Sequence, residues 1–221
     1  LNRRERETYL KIAYGRVCSK TTKDNPEAVE RLDKDENPHY YIEYDSLAGT
    51  LERVRFKDDD RFGKQWSFVV RANKRLYNVQ MPEASRTCSD FLKKLPYLQA
   101  GGFYVFTPFD FINKKGKRVS GLTIEDSGKN KIPSFYQEYT PTGKGDGFTV
   151  KNLHGFPEFG EDKKDKDEMK IYFIGVAKFL RTKALEYLQK TFVFTQEQTP
   201  AEDLAESTPE VEPFPDEPPP Y

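Results

Sequence analysis

Cysteine, histidine and methionine are scarce in this chain of 221 residues, which contains two of each. Cys18 and Cys88 form no CxxC pair, and only His39 and His154 could join them, so we exclude a zinc finger and a disulfide scaffold. No run of about 18 apolar residues occurs, which excludes a helix that spans a membrane. The sequence begins with charged residues instead of a signal peptide, so we expect a cytoplasmic protein.

The sequence also lacks the short motifs of common enzymes. It contains no GxxxxGK[ST], GxGxxG or GxSxG. The acidic run Asp58-Asp59-Asp60 is followed by Arg61 and Gly63, which is more typical of a turn than of a metal site. Because neither histidine has a recognisable nucleophile near it, we predict a binding protein that has no catalytic residues, no metal and no cofactor.

Positive and negative charges are equal in number, at 36 each, but they are distributed unevenly along the chain. Residues 196–221 contain eight acids, seven of the 15 prolines and no Lys or Arg. Residues 1–195 therefore carry 36 basic and 28 acidic groups, a net charge of +8. A segment as acidic and proline-rich as 196–221 cannot bury enough apolar surface to fold alone. We predict a folded basic domain over 1–195 and a disordered acidic tail over 196–221.

Short segments in which apolar and polar residues alternate, and which are rich in β-branched and aromatic residues, predict that the domain is mainly β. We expect one long strand from Tyr9 to Cys18, bent at Gly15. Turn residues separate the next segments and predict three hairpins. These pair 40–45 with 51–57, 66–72 with 76–81, and 103–112 with 117–125. The Gly- and Pro-rich segment 129–160 predicts a long excursion with one further hairpin.

Three helices are expected between and after the strands. Asn25-Pro26-Glu27 predicts a short helix that reaches Leu32, and Pro82-Glu83 predicts a second helix that ends before Pro96. Apolar residues at helical spacing predict a long helix from about 165 to 190, with one face against the domain or against a second copy. The pattern favours a five-stranded barrel of the OB type with added hairpins, although a general α+β sheet domain fits nearly as well.

Basic and aromatic residues share the same predicted strands and turns. Single-stranded nucleic acids require this combination, because cations neutralise phosphates and bases stack on rings. If Val54 and Phe56 point into the core, then Arg53 and Arg55 point outward together. Each ring could instead fill the core. The candidate contact residues are Tyr41, Arg53, Arg55, Lys57, Lys64, Trp66, Arg71, Lys74, Arg75, Tyr77, Tyr104, Phe106, Phe111, Lys114, Lys115, Lys117 and Arg118.

The end of the tail resembles a known family. Residues Asp216, Glu217, Pro218, Pro219, Pro220 and Tyr221 are similar to the acidic, Phe-ended tips of bacterial single-stranded DNA-binding proteins and of podovirus replication proteins of that class. The order of YLKIAYGRVCSK first and GFYVFTPFDFINKKGKRVSGLTIED later looks more like the phage members. Tyr221 keeps the ring of the usual Phe and adds a hydroxyl group.

This resemblance implies a function. It implies sequence-independent binding of single-stranded DNA in phage DNA replication, recombination or repair, inside the bacterial host. It also implies that the tail recruits replication or recombination proteins and competes with DNA for the basic domain, which the opposite charges of tail and domain would favour.

Two other functions fit the sequence. Pro218-Pro219-Pro220-Tyr221 also matches PPxY, the ligand of WW domains, so the chain could be an adaptor that presents its tail. An RNA-binding OB protein fits as well, because a preference for DNA over RNA depends on 2′-OH contacts. A homodimer formed through the last helix is compatible with either function.

Overall fold

The computed structural model describes residues 6–33, 35–114, 116–142, 148–160 and 165–191. Of these residues 48% are in strands and 22% are helical, which confirms the prediction of a mainly β protein. Lys115 and the predicted tail over 196–221 lie outside the described residues. None of the described helices has the length and apolar character needed to cross a membrane.

Nine strands form a single sheet, and two more form a separate hairpin. The sheet contains β1 (Glu7–Ala13), β2 (Arg16–Lys20), β3 (Val29–Leu32), β4 (Pro38–Tyr44), β5 (Leu47–Asp59), β6 (Gly63–Ala72), β7 (Arg75–Pro82), β8 (Phe103–Ile112) and β9 (Arg118–Asp126). Their order across the sheet is β3-β4-β2-β1-β7-β6-β5-β8-β9. Among the strands that the structure describes, only the β1–β7 pair is parallel. The hairpin of β10 (Gln137–Pro141) and β11 (Phe148–Asn152) confirms the one predicted in 129–160.

Two helices cover one face of this sheet. α1 (Arg86–Lys94) starts after Ser85, whose side chain accepts a hydrogen bond from the backbone N–H of Cys88 at 3.1 Å. α2 (Lys166–Thr191) is close to the long helix that the apolar spacing predicts. The helix that Pro82-Glu83 predicts is α1, which begins after both of these residues. Leu95–Tyr97 form a 3₁₀ turn at its end.

The main core lies between this face of the sheet and the two helices. Phe68 stacks on Phe91 of α1 and on Phe106 of β8, with ring centroids 4.9 and 4.5 Å apart. α2 contributes an apolar stripe of buried residues spaced four apart, which includes Leu180 and Leu188. We call the covered face of the sheet the inner face and the opposite face the outer face. Because the core fixes every other side chain of a strand inward, it also determines which residues reach the outer face.

The predicted hairpins over 66–81 and 103–125 are confirmed as β6–β7 and β8–β9. The hairpin that pairs 40–45 with 51–57 is wrong. β4 pairs with β2 and β3, whereas β5 pairs with β6 and β8. Gly49 lies inside β5 and not in a turn. A Cβ atom at this position would come within 2.4 Å of the Arg71 carbonyl oxygen on the neighbouring strand. Close packing between neighbouring strands, and not chain reversal, therefore requires this glycine.

Two further predictions near the N-terminus are wrong. Residues 9–18 form a hairpin, in which Tyr14 (φ 55°) and Gly15 (φ 69°) make a two-residue turn between β1 and β2. The predicted helix after Asn25 is replaced by turns and by β3, which pairs with β4. In both places long-range strand pairing overrides a local sequence preference.

The sheet is strongly curled, like half of a barrel. A Cβ atom on Gly15 would lie 2.6 Å from the backbone nitrogen of Asp110, so the β1–β2 turn contacts β8. β1 and β8 are four positions apart in the sheet, and a flat sheet would separate them by about 19 Å. A five-stranded OB barrel is not confirmed, because the strands form one curled sheet of nine.

Candidate nucleic-acid interface

Three arginines predicted to contact nucleic acid lie on the outer face of the sheet. Val54 is buried, with 7% of its surface exposed, and pairs with Phe68 on the inner face. A β-bulge between Leu51 and Arg53 shifts the register of β5, so that Arg53 lies opposite Val69. The strand register therefore places three arginines on the outer face: Arg53 and Arg55 on β5, and Arg71 on β6.

One carboxylate holds two of these arginines together. Glu7 on β1 accepts hydrogen bonds from Arg53 at 2.8 Å and from Arg55 at 3.1 Å. It also accepts one from the side-chain amide of Asn78 at 2.7 Å. Only 12% of the Glu7 side chain is exposed, against 47% for Arg53 and 39% for Arg55. The cluster therefore keeps a net positive charge, and the guanidinium groups remain open to solvent.

This contact crosses the outer face along one diagonal. β7 and β6 separate β1 from β5, so the two strands would lie about 14 Å apart on a flat sheet. Long side chains and the twist of the sheet let Glu7 and the two arginines meet across these strands. Val69 and Asn78, with 0% and 3% of their surface exposed, lie on the same face between them. The cluster therefore covers this part of the outer face.

Two exposed aromatic side chains belong to the same face. Tyr9 on β1 lies opposite Asn78 on β7, and Asn78 lies opposite Val69 on β6. Val69 lies opposite Arg53 on β5, so Tyr9 and Arg53 share one row across the sheet. Phe103 on β8 lies opposite Thr50, and Thr50 lies opposite Arg71. Tyr9 is 61% exposed and Phe103 is 48% exposed. We define Tyr9, Arg53, Arg55, Arg71 and Phe103 as the arginine patch.

Arg71 is held in a similar way to the other two arginines of the patch. Its guanidinium donates to the carboxylate of Glu52 at 2.7 Å, and 38% of its side chain remains exposed. Lys57 lies further along the outer face of β5 and pairs with Asp59. Ordered, partly exposed cations of this kind lose less conformational entropy on binding a phosphate than free side chains do.

The predicted stacking role of Tyr41 is wrong, although Tyr41 does lie on the outer face. Its ring is buried, with 5% exposed, and Lys11 donates to its hydroxyl at 2.7 Å. Burial lowers the pKa of the Lys11 ammonium group and raises the pKa of the neighbouring Cys18 thiol to about 11. Lys11, Cys18 and Tyr41 lie close together beside the patch, and the buried ring of Tyr41 offers no face on which a base could stack.

Four other rings predicted to stack on bases lie on the inner face instead. Trp66 and Phe106 are fully buried, and Tyr104 is 7% exposed. Tyr77 is partly buried and packs against the same core. All four lie on the inner face, where the sheet needs large apolar side chains to pack against α1 and α2. Their strand positions have the opposite parity to those of the arginines.

The remaining predicted cations lie at strand ends and turns. Lys64 is 3.5 Å from Asp58 near the β5–β6 turn, and Arg118 forms an ion pair with Asp110 at 2.5 Å. Lys74 lies in the β6–β7 turn and Arg75 begins β7, both close in sequence to Arg71 of the patch. Phe111, which is 53% exposed, leads to the β8–β9 turn that contains Lys114 and Lys117. Lys115 of the same turn lies outside the described residues.

The acidic run 58–60 takes part in a turn. The Asp59 carboxylate accepts hydrogen bonds from the backbone N–H groups of Arg61 at 3.0 Å and Phe62 at 3.1 Å. These bonds and Lys57 lower the pKa of Asp59. No group of three His, Cys, Asp or Glu side chains is arranged to hold a metal ion within the part of the chain that the structure describes.

Sequence reasoning missed Tyr9 and Phe103, the two rings of the patch. Tyr9 alternates with the buried Leu10, so its outward direction could have been inferred from parity once Leu10 was assigned to the core. No protein-family model matches the chain, and neither does any curated protein or solved structure. An argument for function therefore depends on the site itself.

Proposed function

We propose that this protein binds single-stranded DNA, without sequence preference, across the arginine patch. The observation that carries the proposal is the sharing of Glu7 by Arg53 and Arg55 beside the exposed ring of Tyr9. The uncompensated positive charge would bind phosphates, and Tyr9 and Phe103 would stack on bases. Each stacked base contributes about 1–3 kcal/mol, independent of its identity.

The arginine patch suits a single strand better than a duplex. Its cations and rings belong to one narrow diagonal of a curled sheet, where a flexible strand can follow the surface and turn its bases toward the protein. The curled sheet would then serve the purpose of the OB-type barrel that the sequence predicts. Lys74 at one end, and Lys57 at the other, would extend the path of the phosphates, whereas Arg75 pairs with Ala72 and has the parity of the inner face.

The acidic segment 196–221 completes the proposal. We assign it two roles, recruitment of replication or recombination proteins and competition with DNA for the basic domain, in the cytoplasm of a bacterial host. The opposite charges of this segment and of residues 1–195 support the competition. In this proposal the protein acts by binding and not by catalysis.

Fluorescence anisotropy of labelled oligo(dT) tests the proposal across a series of salt concentrations. The double variant Arg53→Gln/Arg55→Gln removes two cations of the patch, and Lys183→Gln/Lys190→Gln removes two from α2 as a matched control. We expect the patch variant to lose about 10- to 100-fold in affinity at low salt and to reduce the salt slope by about 1.4, whereas the control stays within about threefold. Equal losses in the two variants would refute the patch as the binding site.

Competitors and truncation separate the alternatives. Unlabelled duplex DNA should compete poorly, and single-stranded RNA that competes as well as DNA would replace the DNA proposal with RNA binding. Residues 1–195 should bind more tightly than the full chain at low salt, because the competing acids are gone. Absence of binding by either form would favour an adaptor that presents its PPxY sequence.

A further inference from the structure

The exposed side of α2 carries two isoleucines that none of the described residues covers. Val176, Leu180, Ala184 and Leu188 face the core. Ile171 and Ile174 lie on the opposite side of the helix, and 69% and 68% of their surfaces are exposed. Successive residues are about 100° apart around a helix, so Ile171 and Ile174 lie side by side near the direction opposite to Val176. Two large aliphatic side chains thus form an apolar stripe in water.

Charged residues of opposite sign lie at the two ends of this stripe. Asp167 precedes Ile171 by four residues, and Lys178 follows Ile174 by four residues, so all four side chains share one face. The side chain of Asp167 is 81% exposed and lies 3.5 Å from Lys170 of the same helix, and Lys178 is exposed as well. The stripe therefore reads acid, isoleucine, isoleucine, base in the direction of the chain.

This pattern is complementary to itself when the direction is reversed. In an antiparallel pair of α2 helices related by a two-fold axis between residues 172 and 173, Ile171 of one copy lies against Ile174 of the other. The same axis brings Asp167 of each copy opposite Lys178 of its partner. A self-complementary surface of this kind defines a two-fold dimer contact.

Gly175 fits the same arrangement. Its position in the interior of an exposed helix costs helix stability relative to alanine. A Cβ atom at Gly175 would meet nothing within 4 Å, so no contact among the residues that the structure describes requires the glycine. The two-fold axis places Gly175 opposite Lys170 of the other copy, where the missing side chain leaves space for the lysine stem.

We propose that two copies of this chain associate through the exposed face of α2, packed antiparallel around residues 171–174. The isoleucines supply a small apolar contact, and the reciprocal Asp167 and Lys178 pairs set the direction and the register. Because two isoleucines from each copy and two exposed ion pairs make a small contact, we expect a weak dimer that dissociates on dilution. The arginine patch takes no part in this contact, so the proposal is independent of DNA binding.

Sedimentation equilibrium of the full chain, from about 5 to about 500 µM, tests the dimer. We expect the average mass to rise from the 25.7 kDa of one chain toward twice that value. Asp167→Lys alone and Lys178→Asp alone should each weaken association about tenfold, because both reciprocal pairs become repulsive. The double variant Asp167→Lys/Lys178→Asp should restore association to within about threefold of the original chain.

Two controls complete the experiment. Lys190→Asp reverses a charge at the far end of the same helix and should leave association unchanged. Circular dichroism should show that every variant keeps its helix content. A chain that is monomeric over the whole range, a double variant that fails to recover, or single variants that associate as well as the original chain would each overturn the proposal.

Discussion

Replacement of Glu7 by glutamine should weaken the fold and tighten DNA binding at the same time. Glu7 neutralises one of the two positive charges that Arg53 and Arg55 bring to the arginine patch. Glutamine has nearly the same shape and can still accept hydrogen bonds at its one amide oxygen, but its NH2 group donates and it adds no negative charge. The variant Glu7→Gln therefore leaves both arginines with full charge beside an incoming phosphate.

The magnitudes follow from the contacts of Glu7. Charge-assisted hydrogen bonds contribute about 1.5–3 kcal/mol each when buried, and screening reduces this for arginines that are 39–47% exposed. We expect the free energy of unfolding to fall by about 1–2 kcal/mol. One additional cation near the phosphates should steepen the salt dependence of single-strand binding by about 0.7 and increase affinity about fivefold at low salt.

Two measurements check this prediction, urea denaturation for stability and anisotropy with oligo(dT) for affinity. Glu138→Gln on the exposed hairpin of β10 and β11 is the matched control, because it also removes one negative charge but lies in another sheet. A loss of stability together with a gain in affinity, in Glu7→Gln but not in Glu138→Gln, would support the proposed site. If Glu7→Gln remains folded and binds no more tightly than Glu138→Gln, the reasoning about the arginine patch is refuted.

Three further outcomes are expected. Phe106→Ala should lower the free energy of unfolding by about 3–5 kcal/mol because its ring is fully buried, whereas Phe111→Ala should cost under about 1 kcal/mol; urea denaturation compares them. Cys18 and Cys88 should resist thiol reagents at pH 8 until the protein unfolds, because burial raises both pKa values, that of Cys18 to about 11; fast labelling of the folded chain would contradict this. Backbone N–H groups of the β3–β4 turn and a histidine ring lower the pKa of Asp33 from 3.8 to about 2. Its stabilising effect should therefore be complete above pH 4 and disappear as the pH falls toward 2; carboxyl NMR titration measures the pKa, and Asp33→Asn should remove that part of the acid sensitivity.

Part of the candidate site could be predicted because strand parity is a local property. Val54 and Phe56 are apolar residues that alternate with Arg53 and Arg55, and this alternation correctly directed both arginines outward. The same rule assigns Trp66 to the core, next to Phe68 and Val70. Treating every ring near a basic residue as a stacking candidate failed because the inner face needs those rings more than the surface does.

The rest of the site depends on register between strands that are distant in sequence. The β-bulge at Glu52 shifts one half of β5 relative to the other, and only the pairing with β6 shows it. Phe103 reaches the patch through the β5–β8 register. Neither shift leaves a periodic signal in the sequence, so no reading of single segments could have joined Phe103 to Arg71.

The sequence alone determined the class of fold, two of the three predicted main-sheet hairpins, the long helix and the separation of charge between 1–195 and 196–221, because each depends on composition or on neighbours within a few residues. Tertiary structure decided the order of the nine strands and the curl of the sheet. It also brought Glu7 to Arg53, which is 46 residues away in the chain. Long-range pairing is a collective choice among many strands with similar local preferences, and only the packed core selects one arrangement.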